Sequence, residues 1–327
     1  MASSIGNFDR FYKLQALALA VVALALPLWN AVVNPYQVFH HAWLPERTFT
    51  APSTNERYLK VAHLLSPGPQ HDSLVIGSSI MGMIDPALLK PYFSGHDFYN
   101  FSFLAAQPAE ILASLKALHK GGLPIRRIVY GIEPIAFTDT ASYGPAHVLH
   151  PLASGNSGLT VFKDFLFAPS LGDGFTQLVS SLSATPAVRY DINGSGRYFL
   201  DRYDAEYMAD PSAYIAAHFP AKAKPKAAPP WVNQRFLEFA ALTAWLKHEH
   251  IELSPYLNPL HPQVIAAYGD GRLAWFKARI MALAGLPALP DCTRLFNPAT
   301  ASLDFYDLRH FKPEQSPVVL QCALKKI

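Results

Sequence analysis

Apolar positions along the chain fall into three patterns. The first is an unbroken run: Leu14 to Val33 reads LQALALAVVALALPLWNAVV, 20 residues without a charge. A helix of that length, at ~1.5 Å per residue, reaches ~30 Å, the thickness of a bilayer's hydrocarbon core. The second is the short apolar stretch of a buried strand. Ser73–Ile76 breaks into Gly77-Ser78-Ser79, and His96–Phe101, Arg127–Ile132, Ile251–Ser254 and Cys292–Phe296 follow the same pattern. The third is helical spacing, over Asn55–Leu65, residues 86–91, Pro108–His119, Trp231–His248, most of Pro262–Ala284 and Pro313–Leu324. Strands alternating with helices predict a parallel sheet covered on both faces, an α/β fold. The alternation lapses between about residues 138 and 230, a stretch rich in Gly, Ser, Asp and aromatics. It reads as an insertion capping the sheet's carboxyl edge, and it closes on AKAKPKAAPP, whose Lys222, Lys224 and Lys226 fit a solvated linker.

Charge refines this picture. Lys and Arg number 27 against 24 Asp and Glu, a net +3, and charged residues are 16% of the chain. That excludes disorder, a coiled coil and a strongly basic nucleic-acid binder. Arg10 and Lys13 precede the apolar run, as a cytoplasmic N-terminus requires. An uncleaved anchor is favoured over a cleaved signal peptide, because the run exceeds the ~7–15 residues of a signal core and no A-x-A site ends it. It is also favoured over a buried helix of a soluble protein. The residues after Val33 are then expected outside the cytoplasm, with Asn34–Thr54 as a juxtamembrane stalk. Such a compartment permits a disulfide between the two cysteines, Cys292 and Cys322; two independent buried thiols are the alternative.

Two motifs carry candidate chemistry. Gly77-Ser78-Ser79-Ile80 follows a strand, which sets a serine at the sheet's carboxyl edge, where open α/β folds bind ligands. Asp307-Leu308-Arg309-His310 places a carboxylate and an imidazole on one loop. The aspartate can hold one ring nitrogen while the other meets the serine, the arrangement of nucleophile, base and orienter. Ser78 and Ser79 are both candidates for the nucleophile. His261 also follows a strand, but no neighbouring carboxylate orients it, so it is assigned a structural or substrate-binding part. No P-loop, no dinucleotide fingerprint and no metal-ligand cluster is evident, and no cofactor is expected.

With these motifs in this order, the sequence resembles the SGNH/GDSL hydrolase superfamily, and within it the membrane-anchored branch of DltD-, AlgJ- and AlgX-type proteins linked to cell-surface acyl transfer. Gly77-Ser78-Ser79-Ile80 stands where that family has G-D-S-L, and Asp307 and His310 stand for its D-x-x-H; Asn34-Pro35-Tyr36 and Asn100-Phe101-Ser102 also look like the anchored branch. The resemblance covers roughly residues 34–135 and 250–327. It implies a flavodoxin-like α/β/α sandwich over residues 71–327, interrupted at about 138–230, after an anchor (1–33) and a stalk with a first helix (34–70). It implies catalysis by Ser79, His310 and Asp307 on an O-acyl group, with acetyl expected, of a cell-surface polysaccharide, and a membrane-bound O-acyltransferase as partner. The alternatives are a non-catalytic glycan-binding or assembly subunit and a plain anchored esterase. Two family features are altered. The oxyanion glycine falls near Leu104–Ala106, where the Ala105 N–H is the expected donor. The G-x-N-D block falls on Gly131-Ile132-Glu133-Pro134, so Glu133 replaces an asparagine donor; Asn100 is a candidate substitute.

Overall fold

A computed structural model describes residues 3–39, 54–68, 71–138, 147–182, 189–219 and 228–324. The apolar run forms helix α1, Ser3–Val33, of which Arg10–Val33 is long and apolar enough to cross a membrane. Pro27 lies inside it without ending it. After α1, Tyr36 and Val38 are buried against Phe165, and residues 40–53 of the expected stalk lie outside the described ones.

The globular part begins with α2, Glu56–Leu64, started by the Asn55 side chain accepting from the Tyr58 N–H. Strand β1 (Ser73–Ile76) leads into a single-turn helix α3 (Ser79–Gly82), then β2 (Phe98–Asn100), α4 (Pro108–Lys120) and β3 (Arg127–Ile132). The region without strand–helix rhythm contains helices α5 (Pro151–Ser154), α6 (Gly158–Phe167), α7 (Leu171–Ser181), α8 (Asp201–Ala209) and α9 (Pro211–His218). Helix α10 (Asn233–His248) returns the chain to β4 (Glu252–Leu257), followed by α11 (Pro262–Tyr268), α12 (Asp270–Ala284), α13 (Ala301–Asp304) and α14 (Ser316–Leu324). The linker lysines 222, 224 and 226 lie outside the described residues.

The four strands are all parallel, in the order β2-β1-β3-β4, with Ser73 opposite Phe98 and Arg127, and Arg127 opposite Glu252. Alternation within the strands serves two cores. Leu74, Ile76, Ile128 and Tyr130 pack with α4 and α10 residues such as Leu115 and Phe239, while Val75, Val129 and Tyr256 pack with Ile84, Leu320 and Val319 on the other face. From β1 the chain moves to one side to form β2, and then to the other to form β3. The strand order therefore reverses beside β1, the point where open α/β sheets place their ligand crevice, at the carboxyl ends of β1 and β3.

Two expectations need correction. Cys292–Phe296 forms no strand; only Asp291 makes an isolated bridge to Leu257, because β4 already ends there and the chain turns at Thr293. Pro262–Ala284 is mainly helical as expected, interrupted at Gly269, whose φ of 76° suits a residue without a Cβ. Strand β4 runs through Pro255 rather than stopping before it. Its place at the sheet's edge tolerates a residue with no N–H to donate.

Cys292 and Cys322 are disulfide-bonded, tying the chain after β4 to α14 across a separation of 30 residues. Closing a loop of that size stabilises the fold by about 3–4 kcal/mol through the unfolded chain. Cys322→Ser is expected to lower the unfolding free energy by about 3 kcal/mol in a urea titration. An unchanged midpoint would show the bond to be dispensable.

Candidate functional site

The bridged segment carries a tight loop. A pair formed by Phe305 and Phe311 closes it, the Tyr306 N–H donates to the His310 carbonyl, and Asp307 Oδ1 accepts the N–H groups of Arg309 and His310. This turn is why the two residues between Asp307 and His310 suffice: the same carboxylate that caps the backbone meets the imidazole. His310 Nδ1 lies 2.8 Å from Asp307 Oδ2 and 3.0 Å from Oδ1.

On the other side of the crevice, Gly77 ends β1 with φ 145°. A Cβ there would come within 2.5 Å of Met81 and 2.8 Å of the Gly131 carbonyl, so the turn is open only to glycine. It delivers Ser79, partly exposed, so that its Oγ stands 2.8 Å from His310 Nε2. Burial alone would raise the Asp307 pKa, but the His310 hydrogen bond and charge and the two backbone N–H groups outweigh it, holding the carboxyl down at about 2. An ionised Asp307 can only accept, so Nδ1 carries the proton and Nε2 presents its lone pair to the Ser79 hydroxyl. The structure thus brings Ser79, His310 and Asp307 together from opposite ends of the chain.

Ser78 is placed elsewhere. It is buried, and its hydroxyl donates to the Glu133 carboxylate at 2.6–2.7 Å. Glu133, at the end of β3, also accepts from Asn258 Nδ2 at 3.0 Å. Its side chain is therefore committed to bracing the ends of β1 and β4 rather than offering a donor. Burial raises the Glu133 pKa, opposed by the Ser78 and Asn258 hydrogen bonds and by the charges of His310 and Arg309. A folded pKa above the unfolded value contributes stability that is complete below the unfolded carboxylate pKa of ~4.3 and is lost as pH rises through the folded one. Glu133→Gln removes that loss. The variant's urea midpoint is expected to gain on wild type as pH rises above the unfolded carboxylate value, and a pH-independent difference would contradict this.

Asn100 is not available as an oxyanion donor. Its amide N–H groups go to the carbonyls of Met81 and Ile84, and its Oδ1 accepts from Ser102. It fixes α3 behind the nucleophile position instead. His261 is likewise engaged, its Nδ1 accepting the Gln263 N–H as the cap of α11 while its ring packs on Phe219 and Phe305.

Ala105 is where a donor remains. Its φ is 50°, the left-handed conformation that favours glycine. The chain reaches it along the end of β1, with the Phe103 N–H bonded to the Gly77 carbonyl. Around it the backbone is held by α2: Glu56 accepts the Leu104 N–H, Arg57 Nη2 donates to the Leu104 carbonyl at 2.6 Å, and Lys60 Nζ donates to the Ser102 carbonyl at 2.7 Å. All three side chains are buried, and Arg57 is paired with Glu110. Burial lowers the Lys60 pKa to about 8, with Glu56 pulling it up and Arg57 pushing it further down. Among the described residues, the N–H groups of Ser79 and Ala105 donate to no protein acceptor. The clamp from α2 has no signature in the sequence reading, since Glu56, Arg57 and Lys60 look like the solvated face of an ordinary helix.

Compared with protein-family models and with curated proteins, the chain matches none.

Proposed function

We propose that the protein is a serine-dependent O-acyltransferase of SGNH type, anchored by α1 with its N-terminus in the cytoplasm and its α/β domain outside, acting on a cell-surface polysaccharide. The observation that carries this reading is the relay from Ser79 Oγ to His310 Nε2 at 2.8 Å and from His310 Nδ1 to Asp307 at 2.8 Å.

In this reading Ser79 Oγ attacks the carbonyl carbon of an acyl ester while His310 Nε2 takes the hydroxyl proton. The carbonyl oxygen gathers negative charge facing the N–H groups of Ser79 and Ala105, each such donor being worth roughly 3–4 kcal/mol in the transition state. Collapse breaks the bond to the donor's alcohol oxygen, which leaves with the His310 proton. A sugar hydroxyl then attacks the acyl-serine, His310 accepts its proton, and the ester passes to the glycan as Ser79 is regenerated. Transfer rather than hydrolysis, the acetyl group and a membrane-bound acyltransferase partner come from the resemblance to the anchored branch.

The test is transfer itself. With p-nitrophenyl acetate and deacetylated fragments of the host's surface polysaccharide, wild type is expected to form sugar acetates and Ser79→Ala is not. Nitrophenol release without sugar acetate would replace the transferase with an esterase. Folded protein giving neither product would leave a non-catalytic subunit.

A further inference from the structure

Helices α6 and α7 are packed onto the last two turns of α1. Asn30 of α1, fully buried, donates to the carbonyls of Leu166 and Pro169, which cap the connection between them. Trp29 lies against Gly174, where a Cβ would come within 2.1 Å of its ring nitrogen. Yet the faces these helices turn outward are apolar. Leu159 (78% exposed), Phe162, Phe167, Leu171, Phe175 (63%) and Leu182 (78%) are all uncovered. Between Gly158 and Leu182 only Lys163, Asp164 and Asp173 are charged, and Asp173 is spent on the Ser170 N–H and hydroxyl at the start of α7.

Position on α1 decides what covers this face. At ~1.5 Å per residue, Asn30 lies about 24 Å along the helix from Leu14, where the uncharged run begins, and so in the outer half of a hydrocarbon core ~30 Å thick. Over the same stretch α1 itself leaves Leu24, Leu28 and Val32 exposed. Helices of 10 and 11 residues reach only about 15–17 Å, half of what crossing requires, so they lie within one leaflet. We propose that α6 and α7 form a membrane-embedded hairpin, seated in the outer leaflet beside the anchor, so that the domain is held to the bilayer at two places. The inference rests on α1 spanning a membrane and is independent of the serine chemistry.

Both native cysteines are disulfide-bonded, so single introduced thiols can carry an environment-sensitive fluorophore. The full chain would be labelled at Leu159→Cys, Phe175→Cys or Leu182→Cys and reconstituted in phosphatidylcholine vesicles. Leu24→Cys serves as the span control, and Leu237→Cys, exposed on α10, as the water control. Labels on α6 and α7 are expected to lose emission with spin-labelled lipid and resist iodide, as Leu24→Cys does, while Leu237→Cys does the reverse. Iodide quenching on α6 and α7 would overturn the proposal, and so would silence to both quenchers, which would mean a protein cover. If Leu24→Cys also escapes the lipid quencher, the span itself fails and the hairpin with it.

Discussion

Replacing Asp307 with asparagine is expected to slow acylation of Ser79 by about 10^4-fold, roughly 5 kcal/mol of barrier, without unfolding the loop. The substitution is informative because Asp307 does two jobs with different atoms. Oδ1 caps the N–H groups of Arg309 and His310, and an asparagine oxygen can keep that cap. Oδ2 receives His310 Nδ1 at 2.8 Å, and an amide NH2 there reverses the polarity. The imidazole then takes the other tautomer, its Nε2 becomes a donor, and the Ser79 proton has no acceptor. His310→Ala is expected to lose as much by removing the base outright. Rates of p-nitrophenyl acetate acylation, read beside circular dichroism of each variant, check both. A loss below tenfold in a folded Asp307→Asn protein would mean the ring is oriented by something else.

Arg57→Ala is expected to destabilise the fold by about 3 kcal/mol and to slow acylation as well. The guanidinium is 1% exposed, pairs with Glu110 at 3.1 Å, bonds the Leu104 carbonyl at 2.6 Å and stands over the Phe103 ring. Truncation strands a carboxylate and a carbonyl at once. Glu110 keeps 20% of its side chain in water, which places the cost at the lower end of the ~3–5 kcal/mol for a broken buried pair. The effect on rate follows from the turn that Arg57 secures, since Ala105 holds a left-handed φ only while its neighbours are pinned. Urea unfolding measures the first effect, and acylation under conditions where the variant stays folded measures the second. A destabilisation below 1 kcal/mol would show that the clamp from α2 is ornamental.

Local pattern was enough for the elements that bury one side chain after another. Ser73–Ile76, Arg127–Ile132, Pro108–Lys120 and Asn233–His248 lie within a residue or two of where the apolar spacing puts them, because the spacing and the core they face are the same fact. The two motifs were also legible, as each is a short turn whose geometry is local. What connects them is not local. Ser78 and Ser79 are chemically alike in the sequence, and only the Glu133 carboxylate arriving at the end of β3 distinguishes them. In the sequence Asn100 and Glu133 look like neighbours of an oxyanion, because an isolated residue does not reveal which groups consume its hydrogen bonds. The helices of the 138–230 region are hidden for another reason. Along α7 the apolar residues Leu171, Phe175, Leu178 and Leu182 do keep helical spacing, but they face outward, and Gly172 and Gly174 in the same turns read as a loop.

Fragmentation mass spectrometry of fluorophosphonate-treated protein identifies the nucleophilic serine by its adduct. A single adduct on Ser79 is expected, present in wild type and in Ser78→Ala, and absent from Ser79→Ala and His310→Ala. An adduct on Ser78, or none on the folded wild-type protein, would contradict Ser79 as the nucleophile.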